Sequence, residues 1–207
     1  MKKTKISHLF LRFFLLFTLF FMLSGVAPAA EKPIDIIKAG VDEVVTVLND
    51  PKFDTPEKKE EQREKIWSII REIFDFETIA KGTLRRHDWE RFSEEQRRQF
   101  VDLFTDLIGT TYLGRIQSEY HDEEVVYTEQ EMLSDTKAVV RTKILRDSVE
   151  IPVDYRLFLK NGNWRVYNVY VEKTSLVTNY RDQFSRILMK GTPADLIAKL
   201  KEKTKES

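Results

Sequence analysis

The sequence predicts an α+β domain in which a curved four-stranded antiparallel sheet is packed with several helices. Three features of the 207-residue chain carry that prediction. Apolar residues recur at helical spacing as far as residue 120, switch to strand-like alternation between 124 and 172, and return to helical spacing from 175. Short turns join the strands, so neighbours pair antiparallel in a meander. No internal repeat or low-complexity linker divides the chain. Residues 30–207 therefore read as one domain: a helical part over 33–120, the sheet over 124–172 and closing helices over 175–203.

Each element has its own signal. Over 33–49, Ile37, Val41, Val44, Val45 and Leu48 form an amphipathic stripe that Asp50-Pro51 ends. Thr55-Pro56 supplies a cap and a first-turn proline for a second helix, charged over 57–65 and then apolar through Ile66, Trp67, Ile69, Ile70, Ile73 and Phe74. Residues 75–84 predict a short helix. Ser93-Glu94-Glu95-Gln96 is a capping box, in which the serine caps a backbone N–H and the glutamine returns to the serine backbone. The helix it opens carries a wide apolar stripe from Phe100 to Ile116 and runs to Tyr120, so it should be largely covered. Strands follow over 124–128, 137–146, 149–160 and 164–172. Asn161-Gly162 marks a primed hairpin turn, because both residues tolerate positive φ, and Asp147-Ser148 predicts another tight turn. A helix over 175–189 stops at Gly191-Thr192-Pro193, and a last short helix covers 194–203.

Residues 1–29 stand apart from this domain. Lys2, Lys3 and Lys5 precede an apolar run over 13–23, and Ala27-Pro28-Ala29 follows, the pattern of a secretory signal peptide cleaved near Ala29. The run is too short for a spanning helix, which needs about 20 apolar residues. No twin-arginine pair precedes it, which predicts the general secretory route. The chain has no cysteine, hence neither a lipid-anchored N-terminus nor a disulfide, and its core must hold it together unaided. Past the signal the chain carries 30 basic and 34 acidic side chains. Nothing in that balance resembles the basic stripe of a nucleic-acid binder.

Catalytic motifs are weak. The chain contains no G-x-S-x-G elbow, P-loop, G-x-G-x-x-G or H-E-x-x-H. His121-Asp122-Glu123-Glu124 reads as a charged helix-to-strand turn and not as a metal site, because zinc ligands must be spaced to converge. Arg85-Arg86-His87 and Arg97-Arg98 read as solvated helix faces. The strands say more. Over 153–160, Val153, Tyr155, Leu157 and Leu159 alternate with Asp154, Arg156, Phe158 and Lys160, the pattern of one buried face. Over 164–171, strict alternation places Tyr167, Val169 and Val171 on one face and Trp164, Val166 and Tyr170 on the other. Such a strand is either covered on both sides or lines a cavity with one of them. Composition favours the plain core, although tyrosine and tryptophan want a partner or a wet rim for their polar atoms.

Three stretches resemble a known family. FDFETIAKGTLRRHDWERFSEEQRRQFVDLF (74–104), IPVDYRL (151–157) and WRVYNVYVEKTSLVTNYRDQF (164–184) are similar to the MlaC family of phospholipid-binding auxiliary proteins of an ABC lipid-transport system, also called toluene-tolerance proteins. The resemblance spans about residues 33–200. It departs at Lys173-Thr174, where Gly-Val is usual, at Asn168, where Asp is common, and over 84–89, which lacks the usual glycine and is one residue longer.

The resemblance implies an NTF2-like curved sheet and helices enclosing an apolar pocket for acyl tails. It also implies a periplasmic carrier moving lipid between an outer-membrane lipoprotein-porin complex and an inner-membrane MCE-domain ABC transporter, with a role in outer-membrane lipid asymmetry. No catalytic residue, metal or cofactor is expected; phospholipid is the cargo, and a diffusing shuttle is expected to be a monomer. The expected pocket lining is Val153, Tyr155, Leu157, Tyr167, Val169 and Val171 from the sheet, with Leu107, Tyr112, Ile116, Leu176, Val177, Tyr180 and Phe184 from helices. Two other readings stand beside it: a non-carrying adaptor or chaperone, and an enzyme for a small hydrophobic substrate, which would need Asp154 or Asn168 to point inward.

Overall fold

The computed structural model describes residues 31–206, apart from 122 and 147. The expected signal segment with its cleavage point at Ala29, Asp122 of the charged turn and Asp147 of the Asp147-Ser148 turn lie outside the described residues.

Helix α1 (Pro33–Leu48) starts on a first-turn proline. Two 3₁₀ turns, Pro51–Phe53 and Pro56–Lys58, lead into α2 (Lys59–Ile73). The Thr55-Pro56 signal therefore opens a 3₁₀ turn, and the α-helix begins one turn later. The two helices pack closely at Gly40, where any Cβ would collide with Ile73. Helix α3 (Phe76–Gly82) is capped by Asp75, whose carboxylate accepts from the Thr78 N–H at 2.8 Å. A single turn, α4 (Arg86–Glu90), lies in a stretch too polar to show apolar periodicity. Both bonds of the expected capping box open α5 (Glu94–Glu119), at 3.2 Å to the Gln96 N–H and 3.0 Å from the Ser93 N–H.

The sheet then runs β1 (Glu124–Ser134), β2 (Lys137–Arg146), β3 (Val149–Lys160), β4 (Asn163–Val171) and β5 (Thr174–Ser175), antiparallel and in chain order. It thus has five strands where alternation predicts four; the fifth has two residues, too few for any pattern to show. Strand β1 also runs past its predicted end at 128. The register shifts between Tyr127 and Glu129, and this bulge breaks the alternation from which a strand is read. Helices α6 (Leu176–Leu188) and α7 (Pro193–Glu206) close the chain.

The apolar interior forms three clusters. One joins α3, α5, α6 and α7 around Phe100, Phe104, Phe184 and Leu196. A second joins α1 to the sheet around Ile37, Val140, Leu157 and Val166. A third packs Val47, Phe53, Ile66, Ile69 and Leu113 together. They meet at the end of α2: Phe74 borders the first two, Ile73 the last two, and Trp67 and Ile70 the first and third.

Candidate functional site

Successive strand residues point to opposite faces, so the register assigns every side chain a face. One face reads across the sheet in rows: Val125–Ile144–Ile151, then Tyr127–Thr142–Val153–Val171, then Gln130–Val140–Tyr155–Val169, then Met132–Ala138–Leu157–Val166. The opposite face carries Glu129, Glu131, Arg141, Lys143, Glu150, Asp154 and Arg156. Arg141 bridges Glu129 and Glu131 at 2.9 and 2.6 Å there, and Lys143 meets Glu150 at 2.6 Å. One face is oily; the other is largely solvated, although Val139 and Asn168 on it are buried.

Helix α1 covers only part of the apolar face. Ile37 is buried among Ala138, Val140, Leu157 and Val166, and Ile34, Ile36 and Val41 pack around it. The Ile34 N–H donates to Gln130 at 2.9 Å and fixes the start of the helix over β1. The rows at the other end of the sheet emerge from this cover. Val125, Ile144 and Ile151 are half-buried, while Val171 is 45% and Val149 55% exposed.

Helix ends frame that open floor. Arg146 donates to the Glu119 carbonyl at 3.0 Å and to the Glu123 carboxylate at 2.6 Å, pinning the end of α5 to β2. Across the sheet, β5 pairs with the end of β4 and leads directly into α6. Tyr112 and Ile116 of α5 and Leu176 of α6 are half-buried apolar groups on these framing helices. An apolar floor bordered by helices and open at one end is suited to binding an extended apolar ligand.

Besides the Gln130 amide, the oily face carries hydroxyls, and Tyr180 adds one in the helical cluster. Thr142 donates to the Val153 carbonyl at 3.0 Å. Burial pushes the Tyr155 phenol up to about 12, against a small opposing effect of its hydrogen bond with Thr142. Burial also raises Tyr180 to about 12, helped by the neighbouring Tyr112. Tyr127 is raised too, by burial and by Asp42 and Tyr155, and its buried hydroxyl has no hydrogen-bond partner among the described residues. All three phenols are therefore neutral at physiological pH. Among the described residues no group of histidines and acids could hold a metal ion.

The expected lining residues divide between clusters. Leu107, Tyr112, Leu176, Val177, Tyr180 and Phe184 belong to or border the helical core. Tyr155, Leu157 and Val169 belong to or border the sheet core, and Ile116 borders the third cluster. Val153 is buried and Val171 stands at the open end. Val153, Tyr155, Leu157, Val169 and Val171 share the apolar face, but Tyr167 does not join them. The register shifts between Arg156 and Leu157, leaving Tyr167 as an extra residue of β4. Its ring meets Phe158 edge-on at 5.8 Å, on the solvated side. The same bulge moves Trp164 and Val166 onto the face of Val169 and Val171, against strict alternation. Val125, Tyr127, Thr142, Ile144 and Ile151 share this face as well, and the alternation of Ala138, Val140, Thr142 and Ile144 along β2 is the sequence signal for Thr142 and Ile144.

Two polar residues that an enzyme on this scaffold would need inside are placed elsewhere. Asp154 lies on the solvated face, across from Arg141 and Tyr170. Asn168 is buried at the β4–α6 corner: its oxygen accepts from the Val177 N–H at 3.2 Å, and its amide donates to Ser175 at 3.0 Å. Ser175 in turn accepts from the Thr178 N–H at 3.0 Å, so two orphan donors of α6 are satisfied. Arg181 donates twice to the Gly82 carbonyl, at 2.9 and 2.6 Å, locking α6 to α3. Three surface clefts of about 450, 680 and 220 Å³ open elsewhere, and none is lined by an expected pocket residue.

The sequence model of the MlaC protein family matches residues 38–202, which takes in every element from α1 to α7. The chain belongs to the MlaC family. A curated relative, the toluene tolerance protein ttg2D of Pseudomonas putida, is 22% identical over 164 residues, covering 79% of this chain and 76% of the relative. A phospholipid-binding protein from Ralstonia solanacearum, solved in complex with a phospholipid, superposes with a TM-score of 0.72 at 25% identity, covering 83% of this chain and 96% of that one. Within this MlaC-family chain, the departures at Asn168 and Lys173-Thr174 fall at a tight corner. Glu172 and Lys173 connect β4 to β5 with φ of 49° and 68°, the primed hairpin geometry that glycine adopts most easily.

Proposed function

We propose that this protein is a phospholipid carrier with no chemical step, holding acyl tails against the open apolar end of the sheet. The observation that carries the reading is that open end: Val149 and Val171 left exposed beside the half-buried Ile144 and Ile151, between helix ends, in a chain of the MlaC family. The phospholipid complex of the Ralstonia relative supports it.

The energetics suit a carrier. Burying one methylene is worth roughly 0.8 kcal/mol, so two tails of about 30 carbons would lose on the order of 20 kcal/mol in water. A floor as apolar as a bilayer makes transfer between membrane and protein near-balanced. Direction must then come from partners that differ in affinity. Those partners are an outer-membrane lipoprotein-porin complex and an inner-membrane MCE-domain ABC transporter, joined by a monomeric shuttle that is exported to the periplasm after cleavage near Ala29. Its traffic contributes to outer-membrane lipid asymmetry. The headgroup stays at the open end of the floor.

The test is Val171→Glu. Val171 is exposed enough to place a carboxylate in water, so the variant folds with unchanged circular dichroism. Native mass spectrometry should find lipid on the wild type and none on the variant. Lipid on a folded variant would remove Val171 from the site. A wild type that never carries lipid would favour an adaptor or chaperone, and turnover of a small hydrophobic substrate would favour an enzyme.

A further inference from the structure

Among the described residues, the oily face contains one buried side-chain polar atom without a hydrogen-bond partner. Tyr127 sits in β1, in the row with Thr142, Val153 and Val171, where the part covered by α1 gives way to the open floor. Its ring packs against the sheet cluster, and its hydroxyl is buried without a hydrogen-bond partner. The neighbouring Thr142 hydroxyl is committed to the Val153 carbonyl, and Tyr155 to Thr142. Buried polar groups are nearly always paired, because leaving one unmade forfeits its full hydration. A phenylalanine would fill this position without that penalty. A neutral phenol is a good donor, and what it lacks is an acceptor.

Resting on the carrier reading, we infer that the Tyr127 hydroxyl is a polar anchor that donates a hydrogen bond to an acceptor oxygen at the glycerol end of the bound lipid. The tails would continue along the floor while this bond sets how deep the glycerol sits. Two lipid groups offer that acceptor chemistry: the ester carbonyls and the phosphate oxygens. The geometry pairs one donor with one acceptor.

The experiment compares delipidated wild-type protein with Tyr127→Phe, using a diacyl phosphatidylglycerol, its diether analogue without carbonyls, and a diacylglycerol without phosphate. The variant should melt higher than wild type when free, because an unpaired buried hydroxyl is gone. It should bind the diacyl phospholipid about three- to tenfold more weakly, the factor expected for one net hydrogen bond. If the carbonyl is the acceptor, wild type and variant bind the diether equally and the diacylglycerol keeps the difference. If the phosphate is the acceptor, that pattern reverses. A variant that melts lower when free, or that binds every probe as wild type does, overturns the anchor while leaving the carrier reading intact. Failure of wild type to bind any of the lipids would sink both.

Discussion

Lys173 shows how much one residue can say about a turn. The β4–β5 connection needs left-handed backbone at two successive positions, and this chain fills them with Glu172 and Lys173. A side chain there costs about 1 kcal/mol relative to glycine. The corner holds because it is tied elsewhere: the Glu172 N–H donates to the Pro152 carbonyl at 3.0 Å, and Asn168 caps α6 just beyond. Lys173→Gly should therefore raise stability by about 0.5–1 kcal/mol in urea denaturation, with an unchanged denaturant slope. A neutral or destabilising result would mean that the glycine's extra freedom in the unfolded chain outweighs the relieved strain.

At the scale of elements, the bulge in β4 decides which side chains the site can use. Before Tyr167, Trp164 and Val166 face α1; after it, Val169 and Val171 continue the same face, and Asn168 turns towards α6. Deleting Tyr167 would remove the bulge and leave Val166, Val169 and Val171 on the oily face with Asn168 and Tyr170 opposite, because strict alternation then runs through the strand. We expect the deletion variant to keep its near-ultraviolet circular dichroism and its cooperative unfolding transition. Loss of either would show that the bend of the bulge itself, and not only the facing of the side chains, is needed to seat α6.

Across the whole molecule, three apolar clusters share the end of α2, so loss of one should spread to the others. Burial pushes the phenols of Tyr155 in the sheet cluster and Tyr180 in the helical cluster up to about 12, above that of a free phenol. Folding favours their protonated forms. That contribution is complete below about pH 10, where the unfolded phenols begin to ionise, and is lost as pH rises towards 12. Denaturant midpoints should fall across this window, and replacing both tyrosines by phenylalanine should flatten the fall. An equal alkaline slope in the double variant would assign the loss to other groups.

How much was legible in the sequence follows from the range of each interaction. The capping box of α5, the Asn161-Gly162 turn and the alternation of β3 are local, and the structure keeps all three. The family's ordered motifs were legible as well, because they need only the order of residues. The far end of β1, the two-residue β5 and the face of Tyr167 were not legible. Each depends on what the neighbouring strand pairs with, and one bulge inverts every parity counted through it. The order of the main helices and strands, the turn chemistry and the family are readable from local pattern and residue order alone. Which face of the sheet is oily, where α1 stops covering it, and that Tyr127 lies at that boundary with a hydroxyl left unpaired among the described residues all emerge from folding, because burial and register are set by distant parts of the chain.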